Sequence, residues 1–242
     1  MTGTHALLLI HGSFCDAEVW QPVAERLRRR GYDVFVPTIA GHGPDGDRSV
    51  SHADCEASLI DYVDTHCPDR FVALGHSWGG TLLQRLAERR GDRLERMVFH
   101  NAFVLRDGES LYEMLPPGHQ ALWDTIKDDP SGLMLPFPVF RDAFANDLDA
   151  DAAEAAYGHL SPTPMRSHFD PVALPTFHHL EIPRSWLYAW DDVALTPGEF
   201  GWHPRMSQRL GLYRMVSLAG GHMVCQSNPD ALAEAIILAA RP

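Results

Sequence analysis

Short unbroken apolar runs alternate along this chain with longer stretches in which apolar residues recur at helical spacing. Ala6-Leu7-Leu8-Leu9-Ile10 begins the series, Asp33 to Val36 follows, and Phe71-Val72-Ala73-Leu74 is the third run. Ala6 to Ile10 and Phe71 to Leu74 do not alternate in and out like a half-exposed strand, and Phe71 to Leu74 reads as a parallel strand covered on both faces. Leu94 to Phe103, Pro183 to Trp190 and Leu212 to Leu218 supply three more. Between them, Val19 to Arg30, Ser51 to Cys67, Thr81 to Arg89 and Pro229 to Ala240 carry apolar residues three and four apart, as helices do. The alternation predicts an α/β fold, a mostly parallel six-stranded sheet flanked by helices.

The rhythm breaks between about Arg106 and Pro183. That segment is rich in proline and carries large side chains such as Trp123, Phe137, Phe140, Phe144 and Tyr157. A structureless loop of that length does not suit a compact domain, so the segment is expected to form helices and pack over something. The expected organisation is a core of residues 1–105 and 183–242, with residues 106–182 inserted as a helical lid over a mostly apolar pocket.

The third strand leads into Gly75-His76-Ser77-Trp78-Gly79, followed at once by a helical pattern. A serine at a sharp strand-to-helix turn, with glycines two residues to either side, fits the G-x-S-x-G nucleophile elbow. A serine hydroxyl needs a base within hydrogen-bond reach, and that base needs an acceptor to fix its tautomer. His222 follows the last strand after Gly220-Gly221, and Asp191-Asp192 follows the strand before it. Because parallel strands end together, both belong at the same sheet edge as Ser77. The candidate set is therefore Ser77, His222 and Asp192, with Asp191 as the adjacent alternative.

Composition narrows the partners. A formal net charge of -12 would be repelled by nucleic acid and by an anionic membrane, which leaves a small-molecule substrate. Cys15, Cys55, Cys67 and Cys225 form no C-x-x-C pair and no dense framework, and no H-E-x-x-H or cysteine-histidine cluster is present. The expectation is free thiols, no cofactor, no metal, and a cytoplasmic protein whose one open protein partner is a second copy of itself. Ala6 to Ile10 is too short to span a membrane, and no basic region or cleavage site frames a signal peptide.

Together these residues resemble the plant methyl-esterase and hydroxynitrile-lyase branch of the α/β-hydrolase superfamily. The resemblance rests on the early His11-Gly12 turn, the Gly75 to Gly79 elbow, Arg184 to Asp192 with Pro197-Gly198-Glu199-Phe200, and Gly221-His222-Met223 followed by Pro229. It implies a triad of Ser77, Asp192 and His222. It also implies an oxyanion hole made by the backbone N–H groups of Ser13, with Phe14 the near alternative, and Trp78. The lyases carry threonine at the place of Gly12 and lysine at that of Met223, so the chain resembles the esterase side. At Trp78 the family usually has a smaller side chain. The resulting expectation is a serine carboxylesterase or methyl esterase acting on a small aromatic or polyketide-like ester, with Phe14 and Trp123 as substrate contacts. Two other activities fit the same residues: a lyase, epoxide-opening or cyclising enzyme using His222 as base, and a ligand-binding receptor.

Overall fold

The computed structural model describes residues 5–242. Six strands form one sheet in the order β2-β1-β3-β4-β5-β6, and every adjacent pair is parallel. They are β1 (Ala6–Ile10), β2 (Asp33–Phe35), β3 (Phe71–Ser77), β4 (Leu94–Ala102), β5 (Arg184–Ala189) and β6 (Arg214–Leu218).

The unbroken apolar runs are explained by two separate cores, one on each face of the sheet. Leu8, Ile10, Phe71, Ala73, Met97 and Phe99 face one core, and Leu7, Leu9, Val72, Leu74 and Val98 face the other. Helices α2 (His52–His66) and α3 (Gly79–Arg90) supply Leu59, Val63, Leu82, Leu83 and Leu86 to the first. Helix α1 (Gln21–Arg29) covers the second with Val23 and Leu27. Local signals set the boundaries: Ser51 and Asp54 form a reciprocal capping box at the start of α2.

Between β4 and β5 the chain forms α4 (Pro117–Asp124), α5 (Phe137–Val139) running into a π turn at Phe140–Phe144, α6 (Ala150–Gly158) and α7 (Arg166–Phe169). Their apolar side chains join the cores of the sheet. Leu111, Trp123 and Leu135 enter the first, Phe140 and Ala153 the second. The chain ends with α8 (Val224–Ser227) and α9 (Pro229–Ala240), the latter capped by the Asn228 side chain and burying Leu232 and Ile236. Among the described residues no helix is long and apolar enough to cross a membrane.

Candidate active site

β3 ends on Ser77, whose φ of 54° lies in the left-handed region. For a residue with a Cβ this conformation costs on the order of 1–3 kcal/mol and persists only where the surroundings impose it. The two flanking glycines show how. A Cβ on Gly75 would lie 2.6 Å from the Gly79 carbonyl oxygen, and one on Gly79 would lie 2.5 Å from that of His11. Both obstacles are backbone, so strand and helix could not approach this closely around any larger residue. The Ser77 carbonyl accepts the Phe103 N–H at 3.1 Å, which holds the turn from the β4 side.

The loops after β5 and β6 meet beside this turn. His222 Nδ1–H donates to Asp192 Oδ2 at 2.7 Å, and both residues are buried. Asp192 is further held by the Asn101 side-chain N–H at 2.7 Å and by the Ala194 N–H at 2.9 Å. Burial alone would raise the Asp192 carboxyl. The neighbouring His222 and these hydrogen bonds outweigh it and hold the group below the usual carboxylate range. With Nδ1 committed to Asp192, Nε2 is the nitrogen left free on His222. Asp191 takes a different part: its carboxylate accepts the Gly220 N–H at 3.0 Å, stapling the two loops together.

Aromatic rings fix the orientation of His222. Trp202 stacks on it at 5.5 Å, Phe144 meets it edge-on at 4.9 Å, and His76 lies 4.5 Å away. His76 stacks in turn on His100 at 4.9 Å. Burial pushes His76 well below the usual imidazole range and His100 to about 4, so both are neutral beside His222 at ordinary pH.

Ser77 and His222 line one small, partly open cavity of about 40 Å³. Its walls include Phe14, Phe103, Leu115, Trp123, Phe144 and Trp202, and among the described residues no Lys, Arg, Asp or Glu side chain lines it. Besides Ser77 and His222, the polar side chains reaching it are Ser13 and the half-buried His119. Ser13 stands at the turn after β1, next to Phe14 at a φ of 66°. Trp78, on the other side of Ser77, is fully buried. The fold thus gathers Ser13, Phe14, Ser77, Trp123 and His222 around one space, with Asp192 behind His222. Among the described residues no group of three or more His, Cys, Asp and Glu side chains could hold a metal ion.

Sequence reasoning missed Asn101, Trp202 and His119, and placed Phe144 only among the large side chains of the inserted segment. Asn101 had a signal, being an amide that interrupts a buried strand at its C-terminal end, the edge where Ser77 sits. The other three come from segments with no periodicity tied to the sheet.

The chain matches the family described as "Alpha/beta hydrolase family" over residues 7–235, and it belongs to that family. A solved structure described as an extracellular alpha/beta-hydrolase from a Paenibacillus species superposes with a TM-score of 0.95 at 35% identity, covering 98% of this chain and 99% of that one. That protein is described as sharing structural and functional homology with tobacco salicylic acid binding protein 2, which ties the likeness to the plant branch. The pyrethroid hydrolase of Sphingobium wenxiniae is 27% identical over 253 residues, 95% of this chain and 85% of that protein. The carbendazim hydrolyzing esterase of a Nocardioides species is 25% identical over 244 residues, 94% and 96% of the two chains.

Proposed function

We propose that this protein is a serine esterase in which Ser77 attacks the carbonyl of a small neutral ester. That the chain is a carboxylic ester hydrolase follows from relatives that are named hydrolase and esterase and that match it over nearly its whole length. The catalytic roles rest on one observation above the others: a buried Asp192–His222 pair at 2.7 Å stands beside a serine held at positive φ, on the wall of an apolar cavity.

In this mechanism His222 Nε2 takes the Ser77 proton as the hydroxyl oxygen bonds to the ester carbon. Asp192 holds the ring in the required tautomer and stabilises the imidazolium. The backbone N–H groups of Ser13 and Trp78 receive the oxyanion. His222 then returns the proton to the departing alcohol. Water, deprotonated by the same ring, cleaves the acyl-enzyme, and the acid leaves.

The cavity supports an aromatic or polyketide-like methyl or alkyl ester, since its walls are aromatic and aliphatic and offer no charge to a second carboxylate. Residues 106–182 act as the lid that sets this preference and excludes water. A cytoplasmic location is supported by four cysteines that all remain thiols, three of them buried.

The test is time-resolved hydrolysis of a panel of aryl, methyl and short-chain nitrophenyl esters by wild type and Ser77→Ala. A burst and turnover that vanish in the variant are expected. Equal turnover by both proteins, or none by a folded wild type, would overturn the assignment.

A further inference from the structure

The turn that carries Ser13 is held from outside the sheet. Phe14 is left-handed at a φ of 66°, a conformation that a large side chain keeps only under constraint. Two residues of the segment between β4 and β5 supply it. The Ser161 N–H donates to the Phe14 carbonyl at 2.9 Å, and the Ser13 hydroxyl lies 2.7 Å from His168 Nε2.

The direction of that second bond can be derived. The Ser167 hydroxyl donates to the Pro164 carbonyl at 2.6 Å, because a carbonyl brings no proton of its own. A hydroxyl has one proton, so at 2.8 Å from His168 Nδ1 the Ser167 oxygen can only accept. His168 therefore carries its proton on Nδ1 and leaves Nε2 bare. Complete burial keeps the ring neutral by pushing the imidazole down to about 3. The Ser13 hydroxyl must then donate to Nε2, which gives a single proton order from Ser13 through His168 and Ser167 to Pro164.

The imidazole is itself locked. It stacks on Trp78 at 5.8 Å with the planes 10° apart, and it meets Trp123 edge-on at 5.3 Å. The Trp78 indole N–H donates to the Ser167 carbonyl at 3.1 Å. One ring thus touches the residues on both sides of the oxyanion position and a wall of the cavity.

We infer that His168 is a positioning residue for ester hydrolysis: by accepting the Ser13 hydroxyl it fixes the backbone N–H of Ser13 where the oxyanion forms. This inference rests on the reading of Ser77 as nucleophile and goes beyond it. No group on His168 reacts, and the inferred effect is carried by its bond to Ser13. An oxyanion donor matters most in the transition state, so its displacement lowers kcat more than it raises KM.

The experiment measures kcat, KM and the affinity of a trifluoromethyl ketone, which forms a tetrahedral adduct, in wild type, Ser77→Ala, His168→Phe, Ser13→Ala and the His168→Phe/Ser13→Ala double variant. Phenylalanine keeps the stacking on Trp78 and Trp123 and removes the acceptor. Either single change is expected to lower kcat by about ten- to a hundredfold, with KM within about twofold and ketone affinity falling in proportion to kcat. The double variant is expected to be no worse than the poorer single one, since both remove the same bond. An unchanged kcat, a loss confined to KM, or losses that multiply in the double variant would overturn the inference while Ser77-dependent turnover stands. Wild-type turnover that survives Ser77→Ala, or no turnover at all, would instead overturn the nucleophile assignment and this inference with it. Should His168→Phe fail to fold, Ser13→Ala carries the test alone, with an unchanged kcat counting against the relay.

Discussion

The Asp147 carboxylate accepts the Gly221 N–H at 2.8 Å, which joins the segment between β4 and β5 directly to the loop that carries His222. The same carboxylate accepts the Ser227 hydroxyl at 2.6 Å, and its neighbour Asn146 donates to the Asp191 carbonyl at 2.9 Å. The Phe144 carbonyl accepts the Met223 N–H at 3.1 Å. The loops bearing Asp192 and His222 are therefore clamped from above by residues 144–147. Asp147→Ala is expected to lower kcat by about tenfold through a looser His222, because small misplacements of a reacting group are costly. Lost hydrogen bonds to a charged group are worth about 1.5–3 kcal/mol, or several degrees of Tm in a domain of this size. Steady-state kinetics beside a thermal melt would check both, and an unaltered kcat would rule the clamp out as a functional element.

Asp192→Asn tests the tautomer argument. The Asn101 amide already donates to Asp192 Oδ2, and the Ala194 N–H donates to Oδ1. An asparagine there must keep accepting from these donors and cannot serve His222 Nδ1–H equally well. The ring then spends part of its time with the proton on Nε2, where a base needs none. A loss of about 10⁴ in kcat is expected, as for other triads deprived of their acid. A loss under tenfold would show that another group orients His222.

Acid should unfold the protein well above the range where carboxylates titrate. Burial pushes His11, His52 and His100 each down to about 4, against an ordinary value of 6.5. Between pH 6.5 and about 4 the unfolded chain takes up protons that the folded chain refuses, so stability falls as pH falls. Each such histidine contributes on the order of 3 kcal/mol by pH 4, comparable in sum to the whole stability of a typical domain. Asp192 acts in a different window. Its lowered folded value stabilises above the unfolded carboxylate range near 3.9 and is lost only below it. The circular-dichroism melting temperature is expected to drop steeply from pH 6.5 to 4.5. In His52→Gln, which keeps a donor for Thr81, the slope should be shallower. A flat Tm across that range would falsify the neutral-histidine picture.

The strands and the elbow were legible because both are local. Phe71 to Leu74 is apolar on both faces and Ser77 follows within the reach of one turn, so pattern and chemistry lie in one short stretch. His222 and Asp192 were legible through strand order, since a parallel sheet brings successive strand ends to one edge. The choice between Asp191 and Asp192 depends on which carboxylate the turn aims inward, and there Asp192 meets Asn101, which is remote in sequence, as well as the adjacent Ala194 N–H. His42, His52 and His168 gave no signal. They lie on three separate segments, and only the packing of those segments around Trp78 brings them together, with His42 stacked at 4.5 Å and His168 at 5.8 Å. Trp78 itself stood out as larger than the family's usual residue, and the ring of histidines around it is the structural counterpart of that excess size.

Away from the cavity, Glu56 is the charge on which the α2–α3 contact depends. Arg85 donates to both of its oxygens, at 2.7 and 2.9 Å, and Arg89 adds a third bond at 2.8 Å. Arg85 also donates to the Ala173 carbonyl, so the pair reaches the segment that leads into β5. Glu56→Ala leaves a buried guanidinium without its partner, which costs about 3–5 kcal/mol. The expected outcome is a Tm lowered by roughly ten degrees, with kcat at low temperature unchanged. A Tm within two degrees of wild type would mean that water or another acceptor replaces the carboxylate.

We propose that Trp123 sets how large an ester the cavity admits. It is buried in the cavity wall and packs against His168 and Phe169. Trp123→Ala removes most of one wall, and the vacated volume can be filled only by a longer acyl or alcohol group. Small methyl esters lose contact and gain freedom to bind unproductively, so their kcat/KM is expected to fall about ten- to a hundredfold, the range that a small apolar difference in a pocket commands. Bulkier aryl esters are expected to fall less or to gain, which reverses the order of preference. The contrast between the two series separates a change in pocket shape from general damage: a parallel loss on small and large esters would show that Trp123 supports the oxyanion turn through His168 rather than shaping the cavity.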